Sequence, residues 1–331
     1  MKRSALVFVG SLLATSLASA TTATYQFCST SGCKAAGSAT VTSTYAKTKY
    51  PLVLAHGMGG FTALGGLSIG QYFYGINANL TSNGATVFAT QVASFDSSYV
   101  RGEQLRSQVN QILAITGAQK VNLIGHSQGV LDSRYVAATM PNNVASVTGV
   151  AGPNLGSPVA DVVKSVTQSP VVGGVLTAVL SSGVNAFFSL LDLSSGQQYS
   201  QSSLAGMNQL TTSGMAAFNA QFPQGMPTTN CGQGASSVRG IKYYSWGGTG
   251  VLTNLLNPAD YFLGLTSVLI PGASDGLVGQ CSSHLGVVIR DNYFQNHLDE
   301  VNLFLGLVSP LEASPVTLFR SQANRLKNVG L

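Results

Sequence analysis

The chain has 331 residues, enough for a sizeable buried core in one large domain or two modest ones. Only 8% of them are charged, against roughly a quarter in an average soluble protein, and Gly, Ser, Thr, Asn and Gln fill the places that Lys and Glu usually take. The formal charge is +5, or +3 without Lys2 and Arg3 (14 basic against 11 acidic residues); it is small and scattered, which excludes a nucleic-acid-binding surface.

The first twenty residues, MKRSALVFVGSLLATSLASA, place two cations before an apolar run and end on Ala18-Ser19-Ala20. That is the pattern of a secretory leader cleaved after Ala20, and the run is too short and too rich in serine for a membrane span. Export makes the four cysteines, Cys28, Cys33, Cys231 and Cys281, candidates for two disulfides, because none lies in a Cys-x-x-Cys pair or at zinc-binding spacing. Counting leaves all three pairings open. Residues 21–48, rich in Ser, Thr, Ala and Gly, read as a loose N-terminal extension before a domain at 49–331.

From Tyr50 the texture changes. YPLVLAHG, ATVFATQVA, KVNLIG and VASVTGVAG are short apolar runs of the kind found in parallel strands buried on both faces. RGEQLRSQVNQILAITG lies between two of them; Leu105, Val109, Ile112 and Leu113 share one helical face and Gly117 stands at the stop. VLDSRYVAATM, closed by Pro141, is a second helix. Strands alternating with helices predict an α/β domain with a mostly parallel sheet. Residues 158–193 differ, and VVGGVLTAVLSSGVNAFFSLL within them has no charge at all. Thr177, Ser181, Asn185 and Ser189 form one polar stripe on it, which argues against a membrane span and leaves a core helix or a flap over an apolar cleft. Toward the C-terminus SVLI and LGVVIRDNY read as strands and HLDEVNLFLGL as helix-like.

The chemistry concentrates at Gly125-His126-Ser127-Gln128-Gly129, a G-x-S-x-G between a predicted strand and a predicted helix. A sharp turn there lifts a serine hydroxyl clear of the sheet, and the positions two before and two after must be small. A serine nucleophile needs a base, and the base an orienting acid, in the chain order Ser, Asp or Glu, His. Of the two later histidines, His297 enters a late helix-like run, whereas His284 reads as a surface residue. Among the intervening aspartates, Asp275 follows SVLI in a Gly-rich loop and is the first choice, with Asp260 second. Oxyanion donors are expected from the N–H of Gln128 and, in the His-Gly turn after the first strand, from the N–H of Met58.

Taken together, YPLVLAHGMGGF, VRGEQL, VNLIGHSQGV, SDGLVGQCSSHLG, NHLDEVN and ANRLKNVGL strongly resemble the secreted true lipases of Gram-negative bacteria, the Pseudomonas and Burkholderia triacylglycerol lipases. The resemblance spans roughly residues 45–331 and leaves 21–43 without a functional reading. It implies an α/β-hydrolase fold with a helical lid at 158–193, and hydrolysis of long-chain triacylglycerols at oil–water interfaces. It also implies Ser127, Asp275 and His297 as triad, and Met58 and Gln128 as oxyanion donors. It pairs Cys231 with Cys281, which leaves Cys28 for Cys33, and it implies a membrane-anchored periplasmic chaperone as a folding partner. Finally it implies a structural calcium ion held by Asp299, the carbonyls of Leu303 and Leu307, and a second aspartate, in whose place this chain has Asn257, with Asp260 three residues on as a substitute. An esterase for shorter or polymeric esters, and a non-catalytic lipid-binding protein on the same scaffold, are the competing readings.

Overall fold

A computed structural model describes residues 21–63, 70–168 and 201–331. The expected leader, and the expected flap beyond residue 168, lie outside the described residues. In chain order the strands are β1 (Thr22–Ser29), β2 (Gly32–Thr40), β3 (Leu52–Ala55), β4 (Val87–Thr90), β5 (Val121–His126), β6 (Val144–Val150), β7 (Ser237–Val238), β8 (Ile241–Gly248) and β9 (Val287–Tyr293). The helices are α1 (Ile76–Ser82), α2 (Ser98–Thr116), α3 (Gln128–Thr139), α4 (Pro158–Gln168), α5 (Ser203–Leu210), α6 (Thr212–Gln221), α7 (Pro258–Ser267) and α8 (Pro315–Asn328).

Among the described residues the strands form one sheet in the order β2-β1-β4-β3-β5-β6-β8, with β7 and β9 both paired to β8. Only β2 and β7 run antiparallel to their neighbours. The middle strands β3, β4, β5 and β6 are buried along their whole length, as their unbroken apolar runs require. Alternation along β3 sorts the core: Leu52 and Leu54 pack with Ile76 of α1 and Phe319 of α8 on one face, and Val53 packs with Leu105 and Val109 of α2 and Val130 of α3 on the other. Helix α2 ends where the sequence marks it, on Gly117 at φ 65°.

Three local expectations are corrected. Residues 22–40 are not loose: β1 and β2 form a hairpin in which Cys28 faces Cys33, and β1 adds in parallel to β4. Its Thr, Tyr and Phe residues suit a pleated surface, and Tyr25 and Cys28 are the buried contacts that dock it. SVLI is no strand; Ser267 closes α7 and the rest is turn, leaving Val268 exposed. HLDEVNLFLGL contains only a 3₁₀ turn, Asp299–Val301, because Asn302 and Leu305 lie at φ 59° and 54° and break the helical path twice.

Candidate active site

The carboxyl ends of β3 and β5 lie side by side, Ala55 opposite Gly125, so the loops that leave them meet at one edge of the sheet. Ser127 occupies the turn between β5 and α3 at φ 54°, ψ −127°, a conformation that costs a non-glycine residue about 1–3 kcal/mol. Its N–H donates to Val150 O at 2.9 Å, which ties the turn to β6. The flanking glycines are sterically required: a Cβ at Gly125 would lie 2.2 Å from Gly129 O, and one at Gly129 2.3 Å from Ala55 O.

His297 stands across the same apolar cavity from which Ser127 is reached, and both line it. Its Nδ1 donates to Asp275 Oδ2 at 2.8 Å, and its backbone N–H donates to Asp275 O at 3.0 Å. The other carboxylate oxygen, Oδ1, accepts the N–H groups of Leu277 and Val278 at 2.8 and 2.7 Å. Asp275 is therefore both a turn residue closing its own loop and the partner of His297, whose Nε2 remains for the cavity. Asp260, the second choice, bonds instead within the 253–260 loop and to Asn296.

The loop after β3 brings its backbone against the serine: a Cβ on Gly57 would lie 2.7 Å from Ser127 Cβ. Among the described residues, neither the Met58 nor the Gln128 N–H has an acceptor. Gln128 is the first residue of α3, where amides are free and the helix dipole is positive. Its side chain reaches back to Asp96 O at 2.7 Å and fixes the helix start against the β4–α2 loop. Apart from Tyr72 and Ser157, the rest of the cavity wall is largely hydrocarbon, with Met58, Val163, Met207, Leu210, Phe262 and Leu303 among its residues.

Comparison with known proteins fits this arrangement. The sequence matches the family described as alpha/beta hydrolase fold over residues 50–301. It is 49% identical over 287 residues to a triacylglycerol lipase of Vibrio cholerae, covering 87% of this chain and 90% of that protein. The chain belongs to the α/β-hydrolase lipases. The lipase is also 40% identical to a triacylglycerol lipase of Pseudomonas fragi, over 86% of this chain and 98% of that protein. To one of Burkholderia plantarii it is 38% identical, over 90% and 91%. Among solved structures, a metagenomic carboxyl esterase superposes with a TM-score of 0.55 at 15% identity, covering 85% of this chain and 76% of that one. The mature form of a Bacillus licheniformis lipase gives 0.52 at 17%, covering 76% and 86%. These two share the fold of the lipase.

Several residues that shape the site were not legible as such in the sequence. Arg101 of α2 is wholly buried and paired with Asp132 of α3 at 2.8 Å. Its guanidinium also donates to the carbonyls of His56, Gly57, Ala93 and Ser94, at 2.7 to 3.3 Å. It thereby turns the carbonyls on either side of the Gly57 peptide away from the cavity. His56 does related work: its ring takes the Val92 N–H at Nε2 and donates from Nδ1 to Gly57 O at 2.8 Å. Burial first, then Arg101, lowers the His56 pKa to about 3, so the ring is neutral in this role.

A second chain of contacts runs beneath Ser127. The Tyr72 hydroxyl accepts the Gly57 N–H at 3.1 Å and donates to His126 Nδ1 at 2.7 Å; His126 Nε2 then donates to His297 O at 2.9 Å. The side chain of His126 thus points away from the serine and into the core, as the turn geometry predicts. Burial, then His297, holds its pKa well below the usual histidine range. Glu300 lies under the same histidines, accepts the Gly248 N–H, and is pushed well above the usual carboxylate range by burial and then by Asp275. His126, His297 and Glu300 lie close enough to suggest a metal cluster, but His126 Nε2 and His297 Nδ1 already serve the contacts above.

His284, expected at the surface, is buried, with Nδ1 on Gly232 O and Nε2 on Asp291 Oδ2, both at 2.9 Å. It braces the loop bearing the disulfide Cys231–Cys281, which is present together with Cys28–Cys33. The residues expected around calcium make hydrogen bonds of their own. Asn257 Nδ2 donates to Leu307 O at 3.1 Å, the Asp299 carboxyl group takes the Thr253 hydroxyl at 2.5 Å, and Leu303 hangs from Leu298 O by its N–H.

Proposed function

We propose that the lipase cleaves carboxylic esters of long-chain glycerides by a serine acyl-enzyme route. Ser127 Oγ attacks the ester carbonyl as His297 Nε2 takes its proton. Asp275 holds the imidazole by Nδ1 in the tautomer that leaves Nε2 basic, and stabilises the imidazolium that forms. The Met58 and Gln128 N–H groups, free of other acceptors among the described residues, take the developing oxyanion. His297 then protonates the departing glyceride, and water repeats the sequence to release the fatty acid. The hydrocarbon wall of the cavity suits an acyl chain rather than a polar substrate.

The observation that carries this reading is the Asp275–His297 contact at 2.8 Å, set across an apolar cavity from a serine on a strained turn. Ser127→Ala is the test: turnover of emulsified triolein should fall by about five to six orders of magnitude with the fold intact. Retained hydrolysis by that variant rejects the assignment. Emulsified against dissolved tributyrin separates a lid-gated lipase from an esterase for soluble esters; a rate that does not rise at the interface favours the esterase.

The reading also includes cleavage after Ala20, export, a lid at 158–193 and help from a periplasmic chaperone. Two disulfides suit an oxidising compartment, and no described helix is long and apolar enough to cross a membrane. N-terminal sequencing of protein recovered from culture medium tests the export; a chain still beginning at Met1 argues against it.

A further inference from the structure

Asn257 caps α7, and its Oδ1 accepts the Ala259 N–H at 3.1 Å. That bond settles which way round the amide lies, because turning it would set an N–H against the Ala259 N–H. The atom left facing the 299–307 turn is therefore Nδ2. It donates to Leu307 O at 3.1 Å and also approaches the Asp299 carboxyl group. An amide nitrogen has no lone pair to offer a cation, and calcium takes oxygen ligands only. The position from which an aspartate oxygen would reach the ion is filled by a hydrogen-bond donor, and one expected carbonyl ligand is already in use.

Asp260 does not make good the loss. Its Oδ2 accepts the Thr253 and Asn254 N–H groups at 2.6 and 2.7 Å, and its Oδ1 accepts Asn296 Nδ2 at 2.7 Å. Both oxygens are spent in joining the 253–260 loop to the segment that carries His297. Asp299 Oδ1, buried and without a hydrogen bond, is the one carboxylate oxygen in this group still open to an ion.

We propose that the side-chain amide of Asn257 takes the place of the calcium ion that the family resemblance implies. Its N–H end ties Leu307 O to the start of α7 beside Asp299, its oxygen caps α7, and the native enzyme neither binds nor needs calcium. The brace joins α7 to the turn that follows His297, so it holds the base in position through hydrogen bonds that cannot be chelated away.

The test uses the intact wild-type protein and Asn257→Asp, each followed by thermal unfolding in excess EDTA and in excess calcium chloride, with isothermal titration of calcium into both. Wild type should melt at the same temperature in both buffers and give no binding heat. Asn257→Asp restores a second carboxylate beside Asp299; it should melt lower in EDTA, recover in calcium, and bind one equivalent of the ion. Asn257→Ala, which keeps neither donor nor ligand, should melt lower than wild type by the same amount in both buffers. A wild-type midpoint that drops in EDTA and returns with calcium overturns the proposal, as does a calcium isotherm for the wild type. An Asn257→Ala variant as stable as wild type also overturns it, and these outcomes remain readable if Asn257→Asp does not fold.

Discussion

Replacing Arg101 by Met removes the charge that holds the loop after β3, the proposed oxyanion loop, while keeping most of the side-chain volume. Asp132 then loses both contacts to its Oδ2, the Arg101 Nε at 2.9 Å and Nη2 at 2.8 Å, and stays fully buried. Breaking one partner of such a pair costs about 3–5 kcal/mol. At roughly 2–3 °C per kcal/mol for a protein of this size, Tm should fall by about 6–15 °C. The carbonyls of His56 and Gly57 are also released, and with them the peptide that aims the Met58 N–H. Loss of a whole oxyanion donor costs about 10²–10³ in kcat, so a donor that is loosened rather than removed should cost roughly tenfold to a hundredfold. The loss should appear in kcat on p-nitrophenyl esters well below Tm, with KM little changed, because the donor acts on the transition state. Asp132→Asn, which leaves the guanidinium its four carbonyl partners, should keep more activity than Arg101→Met. An Arg101→Met enzyme with wild-type Tm, or one altered only in KM, would refute the role given to Arg101.

Tyr72→Phe removes the link between Gly57 and His126; kcat should fall by about fivefold, in line with one neutral hydrogen bond of about 1 kcal/mol, while Tm shifts little. A variant with wild-type kcat would make the link incidental. The two disulfides should differ in weight: Cys231–Cys281 spans 50 residues and Cys28–Cys33 only 5. Loop-closure entropy assigns them about 4 and 2 kcal/mol. Urea midpoints of Cys231→Ser/Cys281→Ser and Cys28→Ser/Cys33→Ser should follow that order, and the reverse order contradicts it. Acid should destabilise the enzyme through His56 and His126, whose native pKa values lie below those of the unfolded chain. Above about pH 6.5 neither matters; below it the unfolded chain takes up protons that the native state refuses, at about 1.4 kcal/mol per pH unit for each ring. Urea midpoints measured down to pH 4.5 should fall more steeply in wild type than in His56→Asn, and parallel slopes would assign the acid sensitivity elsewhere.

What the sequence disclosed about the site was whatever steric or chemical necessity confines to a few neighbours. The turn at Ser127 forces its two glycines through contacts within five residues and to the adjoining strand, so it can be read from the chain alone. The order of serine, acid and base, with a loop before Asp275 and another before His297, favoured His297 as base and Asp275 ahead of Asp260 as acid. Conformations set at a distance stayed hidden. Asn302 and Leu305 have the composition of a helix, and only their left-handed backbone, bound up with the packing of the 299–307 turn, forbids one. The hairpin of β1 and β2 is poor in large apolar residues and gains its order from the exposed edge of β4. Arg101 lies on a helix whose other charges, Glu103 and Arg106, face solvent, and nothing local marks it as the buried one. Asn257 was legible as a departure from related lipases. Its consequence was not, because the direction of an amide depends on the helix it caps.

The most direct measurement is the site of covalent capture. Incubation with a long-chain alkyl phosphonate ester, followed by intact mass and peptide mapping, should give a single adduct on Ser127. Ser127→Ala should give none, and His297→Ala should slow capture by several orders of magnitude at unchanged fold. An adduct on another residue, or capture by His297→Ala at the wild-type rate, would contradict the account of how this serine is activated.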